Sequence, residues 1–322
     1  MLPFERIKRE ILVKRESETD PSLGCAPSKR TTEEMINYGI VNINKPKGPT
    51  SHQVSDYTQR ILEIDKGGHS GTLDPGVTGV LPIALGRATR IVQNLLTAGK
   101  EYVALMHLHK EVDEEKIRRE LGGFIGKIEQ LPPIKSAVKR ELRVREVYYV
   151  EVLDIVGQDV LFKIGCQAGT YIRKYIHDFG KKIGVGAHMA QLRRTKAGPF
   201  GEDTLVTLQD LADAYHYLKE GDDKELKKVL MPIEKAVEHL PKIWVVDKAV
   251  DTVCHGASLN IPGISKLNSG IKKGDIVAVM TLKDELVGVG EAKMDSSSMV
   301  GKEKGIAVLV KKVFMSPGLY GK

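Results

Sequence analysis

Between Gly67 and Gly79 the chain carries five glycines in thirteen residues, centred on the run Gly68-His69-Ser70-Gly71-Thr72-Leu73-Asp74-Pro75-Gly76. Glycine opens left-handed and otherwise strained backbone angles, while Pro75 biases Asp74 toward an extended conformation. Such a loop can project one carboxylate into a cleft. It can equally be a tight turn in which Asp74 caps backbone amides, and spacing leaves both readings open. The surroundings are more definite. Val54, Tyr57 and Ile61 fall on one helical face before the loop, and the apolar run Val80 to Leu85 follows it.

The segments on either side extend a mixed α/β pattern. Order begins with a short strand, Ile40-Val41-Asn42-Ile43, then the turn-rich Lys45-Pro46-Lys47-Gly48-Pro49, with Ser51 as the expected helix cap. A helix carries Ile91, Val92 and Leu95. Tyr102, Ala104, Met106 and Leu108 alternate along one face of a strand, and a charged helix follows around Ile117 and Leu121. Strands are expected at Val147 to Val152 and Val160 to Cys166. Thr170 is placed as the cap of a helix whose apolar positions Ile172, Ile176, Phe179 and Ile183 keep a 3.6-residue period, with Arg173 in its first turn and Gly184 ending it. Another helix spans Leu208, Leu211, Tyr215 and Leu218. Near Lys242 the composition changes to short strands between glycine turns, the pattern of a small β-barrel.

At 322 residues the chain exceeds what one core usually supports. The expected architecture is α+β: an extension at 1–37 that lacks periodicity and lies on the C-terminal module, a mixed-sheet body at 38–240, and a compact β-barrel at 241–322. Net charge of +7 favours an anionic partner, although both signs are interspersed. No stretch resembles a transmembrane span or a signal-peptide core, which places the chain in the cytoplasm or nucleus, the cytoplasm being the expectation, with no membrane partner. Cys25, Cys166 and Cys254 are odd in number and far apart, unsuited to a disulfide framework or a Cys-x-x-Cys zinc site. Neither a Walker loop nor a Gly-x-Gly-x-x-Gly fingerprint stands between a strand and a helix, and there is no Gly-x-Ser-x-Gly elbow. His107 and His109 share a strand face, but without a nearby Cys or carboxylate pattern they read as structural, and no metal is expected.

The run from His69 through Gly79 and on to Leu85-Gly86-Arg87-Ala88-Thr89-Arg90 closely resembles the signature of the TruB/dyskerin family of pseudouridine synthases. Further family blocks follow in order: Asn44 to Ser51, Lys100-Glu101-Tyr102, Gly169-Thr170-Tyr171-Ile172-Arg173, and Gly186 to Arg194. The C-terminal stretch resembles a PUA domain through His255-Gly256-Ala257, Ile261-Pro262-Gly263-Ile264 and Gly274-Asp275-Ile276-Val277. The segment Leu131-Pro132-Pro133-Ile134-Lys135-Ser136-Ala137-Val138 looks like that of the archaeal relatives of dyskerin. On this resemblance 38–240 is a pseudouridine synthase domain and 241–322 an RNA-binding PUA domain.

The resemblance implies a set of roles. Pseudouridine formation breaks the bond between uracil N1 and the sugar, turns the base and rejoins it through C5, so no cofactor is expected. Asp74 supplies the carboxylate, as nucleophile or as base on the sugar. Arg173 holds it ionised. Tyr102 stacks on the target base and moves a proton late, Leu192 packs at the pocket floor, Tyr171 shapes the pocket and His69 assists base extrusion. Lys45, Arg87, Arg193 and Arg194, with Lys47, Arg90, Lys139, Arg140 and Arg143, are expected on RNA phosphates. The dyskerin branch implies an H/ACA guide RNA gripped at its 3′ ACA element, ribosomal or transfer RNA targets, and three protein partners: a zinc-ribbon-like peptide, a glycine/arginine-associated β-barrel protein and a kink-turn-binding protein. Two alternatives stand beside this: a non-catalytic RNA-binding scaffold and a guide-independent tRNA pseudouridine synthase.

Overall fold

The computed structural model describes residues 1–132 and 139–321. Most of the segment that points to archaeal relatives, Pro133 to Val138, therefore lies outside the described residues. The chain separates into two units.

The first unit comprises residues 1–6, 41–84 and 92–229. Its sheet runs in the order Gly39–Lys45, Thr78–Leu85, Ala187–Ala197, Lys100–Leu108, Asp159–Cys166, Arg143–Val156, Gly126–Gln130. Thr78–Leu85 pairs parallel with Ala187–Ala197, whereas Lys100–Leu108 is antiparallel to both of its neighbours. This is the mixed sheet expected from the sequence. Helix Ile172–Lys182 joins the core with Ile172, Tyr175, Ile176 and Phe179, all at most 4% exposed, against Ala104, Met106, Phe162 and Ile164 of the sheet. Each such side chain contributes roughly 1.5–3 kcal/mol by leaving water, which fixes the helix and therefore Arg173 in its first turn.

Several local expectations are revised. Thr50, not Ser51, caps helix Ser51–Leu62: its side chain accepts from the Gln53 N–H, and the Gln53 side chain reaches back, a reciprocal capping box. The buried face of that helix runs through Val54, Ser55, Thr58 and Leu62, and Tyr57 is exposed. Tyr171, not Thr170, occupies the N-cap of helix Ile172–Lys182, without a capping bond from its side chain to the helix, and Thr170 Oγ1 donates to the Gln167 carbonyl at 2.7 Å. Strand Arg143–Val156 is longer than its apolar stretch suggests, since ladder bonds continue beneath a polar, solvent-facing row of side chains.

The second unit comprises residues 7–40, 85–91 and 230–322. Its sheet runs Ile11–Val13, Ile264–Asn268, Lys242–Val245, Ile276–Met280, Leu286–Ala292, Ile306–Val313, Leu259–Asn260. Ile243, Val245, Ile264, Val277, Val279, Val287 and Val308 fill its core. The early chain is bound tightly into this unit. Ile11–Val13 forms its edge strand, and Lys283 Nζ donates to the Asp20, Pro21 and Leu23 carbonyls. Arg30 forms a two-pronged pair with Glu234, both contacts 2.8 Å and both side chains 9% exposed. Among the described residues no helix is long and apolar enough to cross a membrane.

Candidate active site

The loop carrying Asp74 is braced from three directions. Ser51 Oγ accepts from the Leu73 N–H at 2.7 Å and donates to the Leu73 carbonyl at 3.2 Å. Lys45 Nζ donates to the carbonyls of Pro46, Pro75 and Val77 at 2.9, 3.2 and 2.8 Å. Arg194 donates from Nε to the Val80 carbonyl at 2.7 Å and from a terminal nitrogen to Gly71 at 3.3 Å. The glycines are needed where chains meet closely: at Gly79, with φ +102°, a Cβ would stand 2.2 Å from the Arg194 carbonyl oxygen.

These contacts correct two expectations. Lys45 and Arg194 are 0% and 1% exposed, so neither reaches an RNA phosphate. A buried cation without partners is prohibitively costly, and here carbonyl oxygens serve instead of phosphates. All three ammonium donors of Lys45 are committed.

Asp74 is turned outward. The loop's own amides bond elsewhere, Leu73 to Ser51 and Val77 to the Asp74 backbone carbonyl, while the Asp74 carboxylate meets the guanidinium of Arg173. Both side chains of this pair are more than half exposed. The carboxylate is thus available for chemistry at the surface of the unit, and the turn-capping reading of Asp74 is not what the loop adopts.

Tyr102 lies directly across from Arg194 on paired strands. Burial raises the Tyr102 pKa, and the charge of the Arg194 guanidinium opposes that rise. Leu192 is opposite Ala104 in the same ladder, and like Tyr102 it is partly buried against the core that contains Ile172 and Ile176. His69 is partly buried with its ring edge-on to His52 at 6.3 Å; burial, His52 and Arg194 depress its pKa, which keeps the imidazole neutral at pH 7. The backbone of Tyr171 is clasped by Gln130: the Tyr171 N–H donates to Oε1 at 2.9 Å, and its carbonyl accepts from Nε2 at 3.1 Å.

The remaining cations differ in setting. Arg193 bonds Glu202 at 2.6 Å and Asn44 at 3.3 Å, and lines a cavity of about 500 Å³ with Lys45, Thr78 and Thr207. Arg87 belongs to the second unit, where it bonds Ser316 Oγ at 2.5 Å and lies over the Tyr38 ring at 5.5 Å. Sequence reasoning missed Gln130 and Ser51 as supports. Gln130 leaves no signal, being 41 residues from Tyr171, whereas Ser51 was singled out for the wrong task.

Comparison with known proteins places the chain in a family. Residues 59–172 match the TruB family pseudouridylate synthase N-terminal domain, 173–238 the tRNA pseudouridylate synthase B C-terminal domain, 241–314 the PUA domain and 2–55 the DKCLD domain. A probable tRNA pseudouridine synthase B of Pyrococcus abyssi is 60% identical across 100% of this chain and 97% of its own, and that of Methanothermobacter thermautotrophicus is 55% identical across 95% of each. Among solved structures, a Cbf5–Nop10–Gar1 complex contains a chain 57% identical, covering 100% of this one and 98% of that one with a TM-score of 0.95. An H/ACA ribonucleoprotein bound to a substrate RNA containing 2′-deoxyuridine contains another at 55% identity, 99% and 98% coverage and TM-score 0.93. The fold is that of an RNA pseudouridine synthase with an appended PUA domain. The chain belongs to the TruB/dyskerin family of pseudouridine synthases.

Proposed function

We propose that this pseudouridine synthase is the catalytic subunit of a guide-RNA-directed H/ACA ribonucleoprotein acting in the cytoplasm, chiefly on ribosomal RNA. The observation that carries the reading is full-length likeness, at 57% identity, to the Cbf5 chain of a Cbf5–Nop10–Gar1 complex, reinforced by likeness to an H/ACA particle holding substrate RNA. On this reading the domains are an N-terminal extension at 1–37, the synthase domain at 38–240 and the PUA domain at 241–322, which docks the guide's 3′ ACA element. The protein partners are a zinc-ribbon-like peptide, a glycine/arginine-associated β-barrel protein and a kink-turn binder.

In the reaction the N1–C1′ bond of the target uridine breaks and a C5–C1′ bond forms. The proton leaves C5 and N1 gains one, so atoms balance without a cofactor. Asp74 acts on the sugar as nucleophile or base, with Arg173 orienting it. Tyr102 stacks on the base, Leu192 floors the pocket, Tyr171 walls it and His69, neutral, assists extrusion without adding charge.

Reconstitution with and without guide RNA tests the guide dependence. Product on a ribosomal target only when guide and partners are present is expected; equal product without them contradicts it. A second reading, direct action on transfer RNA, is favoured by the name of the 60%-identical relatives, and product on tRNA from the isolated chain supports it.

A further inference from the structure

Where strand Lys100–Leu108 meets strand Ala187–Ala197, Glu101 faces Lys196 but Tyr102 faces Arg194. Thr195 is therefore an extra residue without a partner, a β-bulge set between two consecutive residues of the opposing strand. The bulge decides which side chains look inward. Side chains alternate faces along a strand, so without the extra residue Ala104 would meet Arg193, and Leu192 and Arg194 would turn to the opposite face. With it, Leu192 stands opposite Ala104 and Arg194 opposite Tyr102, while Arg193 points the other way, to Glu202 at 2.6 Å. What holds the bulge is Glu101. Its carboxylate, in a residue 7% exposed, accepts from the Thr195 hydroxyl at 2.8 Å and from the Tyr149 hydroxyl. Tyr149 reaches it across the intervening strand, over Gly165, which is paired with both and where a Cβ would stand 2.2 Å from the Tyr149 ring. Lys196, the cation in register with Glu101, is paired with Glu5 at 2.7 Å instead. Burying a carboxylate on two hydroxyls, with no cation on it among the described residues, is costly, and stability alone gives no reason for it.

We propose that Glu101 is a positioning residue for the reaction: through Thr195 it locks the bulge that keeps Leu192 and Arg194 on the face of Tyr102. The stacking ring and the pocket floor are thereby fixed relative to the Asp74 loop, which Arg194 braces at Gly71 and Val80. The proposal rests on the reading of Tyr102 and Leu192 as pocket residues. Glu101 itself points to the opposite face of the sheet from Tyr102, so it acts only through the strand pairing. A strand advances about 3.4 Å per residue, and a bulge that slips by a fraction of that step moves every side chain beyond it. Misplacement on the order of 1 Å in a positioned reactant costs about a hundredfold in rate.

The test compares Thr195→Val, which keeps the side-chain shape and removes the hydroxyl, with Thr195→Ser, which keeps the hydroxyl, and with Glu101→Ala and the pair Glu101→Ala/Thr195→Val. All are made in the full chain assembled with its RNA and proteins. Single-turnover rate at saturating RNA, RNA Kd and Tm are read for each, the rate well below every Tm so that only folded protein is measured. Thr195→Val is expected to lose at least about tenfold in rate with Kd within about twofold, and Thr195→Ser to stay within about threefold of wild type. The pair should be no slower than the slower single, because both changes remove one linkage. A wild-type rate for Thr195→Val overturns the proposal even if its Tm falls, since Glu101 would then serve the fold alone. Thr195→Ser as slow as Thr195→Val also overturns it, because the methyl and not the hydroxyl would matter, and so do losses that multiply in the pair. Should Glu101→Ala not fold, the two Thr195 variants decide the matter. The underlying reading is checked separately through Tyr102→Ala: a wild-type rate there sinks the reading of Tyr102, whereas a slow Tyr102→Ala beside a normal Thr195→Val sinks the positioning role alone.

Discussion

Arg173, in the first turn of helix Ile172–Lys182, places its guanidinium on the carboxylate of Asp74, 99 residues earlier in the chain. Both side chains are more than half exposed. An ion pair this open to water stabilises a fold by about 1 kcal/mol or less, so the contact matters for where it holds the carboxylate.

Replacement of Arg173 by Ala is accordingly predicted to leave Tm within about 4 °C of wild type while lowering turnover by about a hundredfold or more. Calorimetry and tritium release from labelled uridine check the two halves. A large fall in Tm, or turnover near wild type, contradicts the assignment.

Gly79→Ala presents the reverse case. The residue has φ +102°, and a Cβ would lie 2.2 Å from the Arg194 carbonyl oxygen, a backbone atom that cannot step aside. The variant is expected to lose about 2 kcal/mol or more of stability, read as a lower urea midpoint. An unchanged midpoint would show that strand Ala187–Ala197 yields at that point.

The parts of this site that were legible in the sequence are those with a local pattern. The glycine-rich loop marks itself, and the 3.6-residue period of Ile172, Ile176 and Phe179 sets the helix that presents Arg173. The supports were illegible because their bonds run to backbone carbonyls far away, as from Lys45 to Pro75 and Val77 or from Arg194 to Gly71 and Val80. Sequence shows a cation there but not its acceptors. One signal was present and unused: Arg193 and Arg194 are neighbours on a strand, so they point to opposite faces and cannot both lie on one RNA surface. The helix caps failed for a related reason, since Thr50 and Ser51 are both competent caps and only the bond to Gln53 separates them.

Lys100 yields a pH prediction. Its Nζ donates to the Leu95, Leu96 and Ala98 carbonyls at 2.7, 3.1 and 2.6 Å, and burial pushes its pKa from the ordinary 10.5 down to about 7. Between those values the unfolded chain binds more protons than the folded one, so this group makes stability rise with pH from about 7 toward 10.5. Urea midpoints measured across that window should climb in wild type and climb less in Lys100→Met. An equal climb in both removes Lys100 as the cause.

Lys45 and RNA affinity should separate. Lys45→Met strands three carbonyl oxygens and is expected to cost about 1–3 kcal/mol of stability. The slope of log RNA affinity against log salt should stay as in wild type, whereas a phosphate contact would lower it by about one. A reduced slope would return Lys45 to the RNA surface.

If Asp74 performs the isomerisation, pseudouridine formed in guide-paired RNA must differ between the assembled wild-type particle and the one carrying Asp74→Asn. The variant is expected to bind RNA with near-wild-type affinity and to form no product. Pseudouridine at the wild-type rate from Asp74→Asn would contradict it.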